Sequence, residues 1–205
     1  MRLILLLFLL CQFQLTYGND GPLSHFLDDL KTIESDFSQT LLNESGEIIE
    51  NSSGKLYLLQ PDKFYWSYQI PYSQKIISDG EVLWIFDEDL EQVTIRDMSD
   101  DLSQTPAGII LGNHDIKQHF IEIDLGDIDG FNWIELTPKN IDSQYQSIKI
   151  GFDNNKLGML IINDSLGQTT RIDFVDVKRN VEIEQDKFIF TAPEGIDVID
   201  ERGKK

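Results

Sequence analysis

The sequence predicts a mainly β protein: one curved antiparallel sheet with a few short helices lying on its concave face. Three observations predict this fold class. Apolar and polar residues alternate with a period of two in many short runs, as in strands that expose one face to solvent. Turn residues separate these runs. We count roughly eleven runs, which is enough for a sheet to curl, and only two short helical patterns.

The first 18 residues of the 205-residue chain are predicted to be a cleaved export signal. A basic residue, Arg2, precedes an unbroken apolar run at 3–10, which is too short to span a bilayer. Small residues favour cleavage after Gly18. We therefore expect a signal peptide over 1–18 and one domain over 19–205. A buried N-terminal helix is the alternative interpretation.

Cys11, the only cysteine in the chain, lies inside this signal. Lipidation of a bacterial export signal requires a small residue immediately before the cysteine, and Leu10 occupies that position. We therefore expect no lipid anchor, and we expect no disulfide or thiolate chemistry in the mature chain. An exported protein without disulfides must be stabilised by its core alone.

The first element of the mature chain is predicted to be a short amphipathic helix. Gly21 and Pro22 are suited to a helix start, and apolar residues follow them at spacings of three and four. Because so short a helix is marginal in water, it must lie on an apolar surface. The apolar positions are Leu23, Phe26, Leu27, Leu30 and Ile33.

Strands follow this helix along most of the chain. The alternation of apolar and polar residues is clearest at 92–96, 121–125, 147–152 and 171–174. Turn signals stand at 79–80, 153–155 and 165–167. These turns are short enough to join neighbouring antiparallel strands.

One apolar segment interrupts the strands and is predicted to be a second short helix. Thr105 is suited to its N-cap, Pro106 to its first turn and Gly112 to its end. The residues between them, 107–111, are almost wholly apolar, so this helix must also be covered. We see no linker and no repeat of fixed period, which indicates a single domain.

The composition excludes several classes of function. Acidic residues number 36 against 17 basic ones, and the formal net charge is -19. Such a charge disfavours nucleic acid, which requires a basic footprint, and it disfavours anionic lipid headgroups. There is no nucleophile elbow, and His114 and His119 lie at a spacing that fits no common metal motif. We therefore predict no enzyme activity, no cofactor and no metal site.

The acidic segment at 124–130 has the composition of a calcium loop. An EF-hand with its glycine at Gly130 would need an oxygen ligand at Leu125 and a glutamate at Leu136. Because both positions are leucines, we expect a hairpin turn instead.

Apolar and aromatic residues exceed what one sheet face requires. The run at 82–86 is apolar on both faces, with Trp84 on one face and Leu83 on the other, while Phe64 and Trp66 share a face of another strand. Strands of this kind must be covered on both faces or must line a cavity. The sequence therefore allows either an ordinary sandwich core or a cavity for a greasy ligand.

A set of short motifs runs in order along nearly the whole mature chain. The motifs are Asp-Phe-Ser-Gln at 36–39, Gly-Lys-Leu-Tyr at 54–57 followed by Pro-Asp-Lys-Phe-Tyr-Trp at 61–66, Ser-Asp-Gly at 78–80 followed by Leu-Trp at 83–84 and Glu-Gln-Val at 91–93, Thr-Pro at 105–106, Leu-Thr-Pro at 136–138, Asp164 with Gly-Gln at 167–168, and Phe-x-Phe-x-x-Pro-x-Gly at 188–195. Each motif alone is weak. The ordered set resembles the LolA family of periplasmic lipoprotein carriers.

The resemblance implies an incomplete β-barrel with a lid of helices over an apolar cavity. It implies that the first helix contributes Leu23 and Leu27 to the lid, and that the second contributes Ile110 and Leu111. Aromatic residues of the sheet would lie beneath or beside this lid. The candidate lipid-contacting residues are Leu23, Leu27, Tyr57, Phe64, Trp66, Trp84, Ile110 and Leu111.

The resemblance also implies a function without covalent chemistry. The protein would accept acylated lipoproteins from an inner-membrane LolCDE-type ABC transporter, carry them through the periplasm and pass them to an outer-membrane LolB-type receptor. Each acyl methylene left in water costs about 0.8 kcal/mol, so such anchors need an apolar cover. We expect the carrier to be a monomer.

The chain departs from the family at one position. The family usually has an arginine before the proline of its Arg-Pro motif, and that guanidinium latches the empty lid by bonding lid backbone carbonyls. Here the residue before Pro61 is Gln60. Glutamine offers two donors without charge, whereas arginine offers five in a rigid fork. We predict that Gln60 holds the empty lid less tightly than arginine would.

Three other functions compete with the carrier. One is a lipoprotein-sensing or receptor domain of the same fold in envelope signalling. Another is an anchored LolB-like receptor, which Leu10 before Cys11 disfavours. The last is an exported hydrolase that acts on lipid or glycan.

Overall fold

The computed structural model describes residues 21–98, 106–111 and 116–203. The predicted signal peptide, the proposed N-cap Thr105 and the predicted helix end Gly112 lie outside these ranges. The helices are α1 (Pro22–Leu27), α2 (Pro106–Leu111) and α3 (Ile116–His119), and a 3₁₀ helix spans Gln185–Phe188. The strands are β1 (Thr32–Leu42), β2 (Ile48–Leu59), β3 (Lys63–Ile70), β4 (Gln74–Asp79), β5 (Val82–Asp87), β6 (Gln92–Asp97), β7 (Phe120–Ile128), β8 (Phe131–Pro138), β9 (Tyr145–Asp153), β10 (Lys156–Asp164), β11 (Thr169–Arg179) and β12 (Asp197–Asp200).

All twelve described strands belong to one sheet. Their order is β12-β6-β5-β4-β3-β2-β1-β11-β10-β9-β8-β7. Neighbours are antiparallel except for β12, which runs parallel to β6. Strands β7 and β12 are the two edges of the sheet, so the sheet curves without closing. The predicted mainly β class and the incomplete barrel are confirmed.

The predicted turns join neighbouring strands. The turn at 79–80 connects β4 to β5, and Gly80 adopts a φ of 101° there. Asn154 and Asn155 form the β9–β10 turn with φ values of 45° and 62°, which asparagine tolerates better than most residues. The acidic segment also forms a hairpin, between β7 and β8, as predicted.

The concave face of the sheet carries a continuous apolar core. Neighbouring strands place their apolar residues opposite one another, as with Leu56 and Trp66 or with Leu58 and Phe64. Helices α1 and α2 pack against this face and belong to the same buried cluster. We call this cluster the concave core. Its sheet members include Ile33, Phe37, Leu56, Leu58, Phe64, Trp66, Ile134, Leu136, Ile148, Ile150, Phe152, Leu160, Ile172 and Phe174.

Helix α1 is shorter than its apolar pattern indicates. It ends at Leu27 because Asp28 is extended, with a ψ of 130°, and Asp29 is left-handed, with a φ of 58°. The prediction that Leu30 and Ile33 continue the helix is wrong. Ile33 instead lies on β1, where it pairs with Leu58. Both residues still belong to the concave core, so their apolar character indicates that they are buried and does not indicate a helix.

The convex face of β3–β6 is covered by the chain that follows β11. We call residues 181–200 the C-terminal segment. It crosses these strands through the 3₁₀ helix and then pairs with β6 as β12. Its own Phe188 is completely buried, and its Phe190 ring lies 5.4 Å from the Phe86 ring of β5. This cover explains why the run at 82–86 is apolar on both faces.

Candidate functional site

The candidate site is the part of the concave core that the helices cover. Residues 107–111 of helix α2 are all buried. Ile109 and Leu111 are completely excluded from solvent, and Ile110 is 1% exposed. An isolated helix of six almost wholly apolar residues is unstable in water, so the position of α2 depends on this burial.

Helix α1 covers the neighbouring part of the same face. Leu23 and Phe26 are buried, and Leu27 packs against the cluster at its margin. The Phe26 ring lies 4.9 Å from the Phe152 ring on β9. Gly21 is the N-cap and Pro22 begins the helix, as the sequence predicts, because proline suits a position whose amide has no intrahelical acceptor.

An aromatic cluster lies on the sheet within the concave core. The Phe37 ring is 5.2 Å from both the Trp66 and the Tyr68 rings, and Phe174 packs edge-on to Trp66 at 6.4 Å. Burial raises the pKa of Tyr68 to about 12, and its hydroxyl donates to the Gln39 side chain at 3.1 Å. Tyr68 therefore stays a neutral, hydrogen-bonded phenol at physiological pH.

Gln60 connects the lid to the sheet. It follows β2, and its backbone N–H donates to the Lys31 carbonyl at 2.8 Å, next to the start of β1. Its side-chain amide donates to the carbonyl of Leu111, the last residue of α2. A neutral amide thus makes, on a lid backbone carbonyl, the kind of contact that the resemblance assigns to arginine.

Glu122 on the edge strand β7 lies beside the start of α1. It pairs with Leu136, which places it on the concave side, whereas Ile121 and Ile123 are 52% and 45% exposed on the other side. Burial raises the pKa of the Glu122 carboxyl, while Lys117 and the backbone N–H of Leu23 oppose the rise. An inward charge on an edge strand discourages pairing with other chains.

The structure brings together most, but not all, of the predicted lipid-contacting residues. Those within or against the concave core are Leu23, Leu27, Phe64, Trp66, Ile110 and Leu111.

Tyr57 and Trp84 lie on the convex face instead. Tyr57 stands between the buried Leu56 and Leu58, so it points to the opposite side of β2, where the Lys187 ammonium lies 4.0 Å from its ring centroid. The Trp84 ring lies 6.2 Å from the Phe190 ring of the C-terminal segment. This placement corrects the prediction that both residues line the cavity. The reason is the period of two, which sends alternate residues to opposite faces.

Sequence reasoning missed several residues of the site. Phe37 lies in the Asp-Phe-Ser-Gln motif and alternates with Ser35 and Gln39, so period-two reading of that motif would have found it. Ile109 belongs to the predicted second helix but was not singled out. Phe174 on β11 reaches the aromatic cluster only through strand pairing distant in sequence, for which no local signal exists.

The site is a packed apolar core. Among the described residues, no group of three or more His, Cys, Asp or Glu side chains is arranged to hold a metal ion. No helix within 21–98, 106–111 or 116–203 is long and apolar enough to cross a membrane. What the arrangement can do is exchange the apolar contacts of α2 for those of another apolar group.

Comparison with known proteins identifies relatives along most of the chain. The family model described as outer membrane lipoprotein carrier protein LolA matches residues 28–191. An outer-membrane lipoprotein carrier protein from Nitrosospira multiformis is 36% identical over 182 residues, which is 88% of each chain. A protein of the same name from Methylococcus capsulatus is 35% identical over 204 residues, or 98% of each chain.

The fold also resembles solved structures. An uncharacterized conserved protein from Thermus thermophilus superimposes with a TM-score of 0.58 at 9% identity, over 87% of this chain and 97% of that one. At this identity the likeness concerns the fold alone. The family model and the sequence relatives carry the assignment: the chain belongs to the LolA family of outer membrane lipoprotein carrier proteins.

Proposed function

We propose that this protein is a periplasmic chaperone that carries acylated lipoproteins in the cavity beneath α1 and α2. The observation that carries the proposal is the second helix. Its residues 107–111 are all buried against an apolar sheet face, so a short apolar helix covers a surface that acyl chains could occupy. Relatives over most of the chain are named outer-membrane lipoprotein carrier proteins, which supports the same function.

A carrier of this kind must shield the acyl chains of a lipid anchor from water. Each exposed acyl methylene costs about 0.8 kcal/mol, so a multi-chain anchor cannot cross an aqueous compartment unprotected. When α2 leaves the concave face, acyl chains replace its buried side chains at little cost, because one apolar contact is exchanged for another. When the anchor leaves, α2 returns and hides the apolar face again.

Gln60 sets the balance between the closed and the open lid in this proposal. Its hydrogen bond to Leu111 exists only while α2 is docked, so it favours the empty, closed state. A neutral donor contributes about 1 kcal/mol, and charged donors contribute roughly 1.5–3 kcal/mol. The glutamine therefore leaves the lid easier to open than an arginine would.

The transport route follows the family. The protein would be exported by the signal at 1–18, and the domain at 19–205 would act as a monomer in the periplasm. It would accept cargo from an inner-membrane LolCDE-type ABC transporter and deliver it to an outer-membrane LolB-type receptor. No covalent bond forms or breaks in this cycle, so the proposed chaperone is not an enzyme and needs no cofactor.

Mass spectrometry of protein purified from the periplasm tests the proposal directly. We expect a triacylated lipoprotein to co-purify with the wild type. Recovery of a protein partner without lipid would instead favour a sensor. Recovery of a cleaved lipid or glycan would favour a hydrolase.

A release assay on inner-membrane vesicles provides the matched variants. Phe64 lies in the concave core and is 1% exposed, whereas Ile141 is 97% exposed. Phe64→Glu should abolish lipoprotein release, and Ile141→Glu should leave it unchanged. A thermal melt of each variant separates loss of fold from loss of cargo binding. Normal release by a folded Phe64→Glu protein would refute the cavity assignment.

A further inference from the structure

The backbone carbonyls at the end of α1 are held by side chains from distant strands. A helix end leaves carbonyls without intrahelical partners. The Phe26 carbonyl accepts a hydrogen bond from Arg179 at 2.7 Å, and the His25 carbonyl accepts one from the Asn155 side chain at 3.3 Å. The Asp29 carbonyl, just beyond the helix, accepts one from Asn180 at 2.8 Å. The polar end of α1 is thereby tied to β11 and to the β9–β10 turn.

Arg179 makes the most extensive of these attachments. It lies at the end of β11, opposite Ile33 on β1. Besides the Phe26 carbonyl, its guanidinium donates to the Asn155 carbonyl and, at 3.4 Å, to the Asp28 carbonyl. The guanidinium carbon also lies 5.0 Å from the centroid of the Phe26 ring. One side chain thus holds both the backbone and a buried ring of α1.

The two lid helices differ in the strength of their polar attachments. Both bury apolar side chains in the concave core, and acyl chains can replace such contacts. Helix α2 adds the neutral hydrogen bond from Gln60 to Leu111, whereas the end of α1 is bonded by a guanidinium and two asparagine side chains. The hydrogen bonds from Arg179 to the Phe26 carbonyl of α1 and to the Asp28 carbonyl just after it have no replacement in a hydrocarbon chain, which has neither donors nor acceptors. Breaking them in a partly dry site would leave carbonyls and a guanidinium unpaired, which is costly.

We propose that Arg179 is a positioning residue that keeps α1 fixed to the sheet, so that acyl chains enter by displacing α2 alone. This inference rests on the proposed carrier function and adds to it which part of the lid moves. The cavity mouth then lies on the Gln60 side, where α2 ends, and α1 forms a permanent wall.

Hydrogen-exchange mass spectrometry of the intact mature protein tests this division. The probe is N-phenyl-1-naphthylamine, an apolar fluorescent amine, at a saturating concentration. In the wild type we expect exchange in segment 106–111 to accelerate at least tenfold when the probe binds. We expect exchange in segment 22–32 to change less than twofold. Equal acceleration of both segments would overturn the proposal.

A second exchange experiment uses no ligand, so it tests whether Arg179 holds α1 independently of the carrier function. Arg179→Gln should accelerate exchange in 22–32 about tenfold or more, because charged hydrogen bonds are lost, and should leave 106–111 within twofold. Arg171→Gln is the matched control: Arg171 lies on the same strand, exposed and paired with Asp173. It should leave both segments unchanged.

Arg179→Lys covers the case in which the glutamine variant does not fold. Lysine keeps the charge but lacks the planar fork, so it cannot bond several carbonyls at once in the same geometry. We expect exchange in 22–32 to be intermediate between the wild type and Arg179→Gln. Wild-type exchange in this segment for either variant would show that Arg179 does not hold α1. Failure of the probe to bind, with the Arg179 effect present, would count against the carrier function only.

Discussion

The two faces of strands β2–β6 are both covered, but the two covers are attached differently. On the concave face, α2 is docked through apolar side chains and the neutral hydrogen bond from Gln60. On the convex face, the C-terminal segment adds a backbone-paired strand, two phenylalanines and the Lys187 ammonium over the Tyr57 ring. Lipid can replace the apolar contacts of α2, but it cannot replace the hydrogen bond from Gln60 or the backbone hydrogen bonds that pair β12 with β6.

The difference separates the moving from the static parts of the molecule. A cover that must leave and return is best held by contacts that the cargo can reproduce. A cover that must stay is best held by directional bonds, which a ladder of backbone hydrogen bonds provides. Substitutions on the convex side should therefore affect stability alone, and those on the concave side should affect both stability and uptake.

The largest expected effect is on the convex side. Phe188 is the completely buried residue of the C-terminal segment. Phe188→Ala should lower the free energy of unfolding by about 3–5 kcal/mol through lost burial and a residual cavity. Urea titration measures this loss. Affinity for N-phenyl-1-naphthylamine should stay unchanged in the folded protein, and a shift in that affinity would mean that the two faces are coupled.

A somewhat smaller effect is expected from the lid. Ile110→Ala should lower the free energy of unfolding by about 2–5 kcal/mol in the same titration. Part of this energy holds α2 against the sheet, so the empty closed state is weakened as well. Fluorescence titration should therefore show tighter binding of the apolar probe, in contrast to the unchanged affinity of Phe188→Ala. Unchanged probe affinity would place Ile110 in a static core.

Substitution of Gln60 should change the equilibrium between the closed and the open lid about tenfold and leave the fold intact. Gln60→Arg replaces a neutral donor with a charged one, and the difference in hydrogen-bond strength is about 1 kcal/mol or more. We expect it to favour the closed empty state and to weaken probe uptake about tenfold, while Gln60→Ala strengthens uptake. Equal or tighter binding by the arginine variant, at matched melting temperature, would show that this position does not latch the lid.

The smallest effect is a pH dependence at Glu122. Burial raises the pKa of this carboxyl above its ordinary 4.5, so the folded state binds its proton more tightly than the unfolded state does. Stability from this group is therefore present below the ordinary pKa and is lost as pH rises through the raised one.

Thermal melts of Glu122→Gln at several pH values check this sign. The variant should melt a few degrees higher than the wild type at pH 7, since a 1 kcal/mol change moves the melting temperature by about 2–4 °C in a chain of this size. The difference should vanish at acidic pH, where the wild-type carboxyl is neutral. A wild type that is the more stable of the two at pH 7 would show that the Glu122 charge favours folding.

The elements of the fold were largely predictable because their signals are local. Alternation predicted strands at 92–96 and 147–152, and Pro106 with its apolar run predicted α2. The ordered motifs also indicated the family, which the relatives confirm. Within the candidate site, Phe64, Trp66 and Ile110 lie in one apolar cluster. That they contact lipid stays a prediction.

The errors arose where two structures share one pattern. Ile33 satisfies both a helix face and the buried side of β1, and Leu30 is buried in the connection between α1 and β1. The left-handed backbone at Asp29 ends the helix before both residues. Aromatic residues on a strand predict that they are buried. They do not indicate whether the lid helices or the C-terminal segment covers them. Tyr57 and Trp84 were therefore placed in the cavity although the C-terminal segment covers them.

The sequence by itself determined the strand periodicity, the turns and the apolar character of α2, because each depends on neighbouring residues. Only the tertiary structure decided which face each cover protects and how the lid is attached. Arg179 reaches Phe26 across 153 positions of sequence, and Gln60 reaches Leu111 across 51. Such contacts depend on the register and curvature of the whole sheet, which no local pattern of residues encodes.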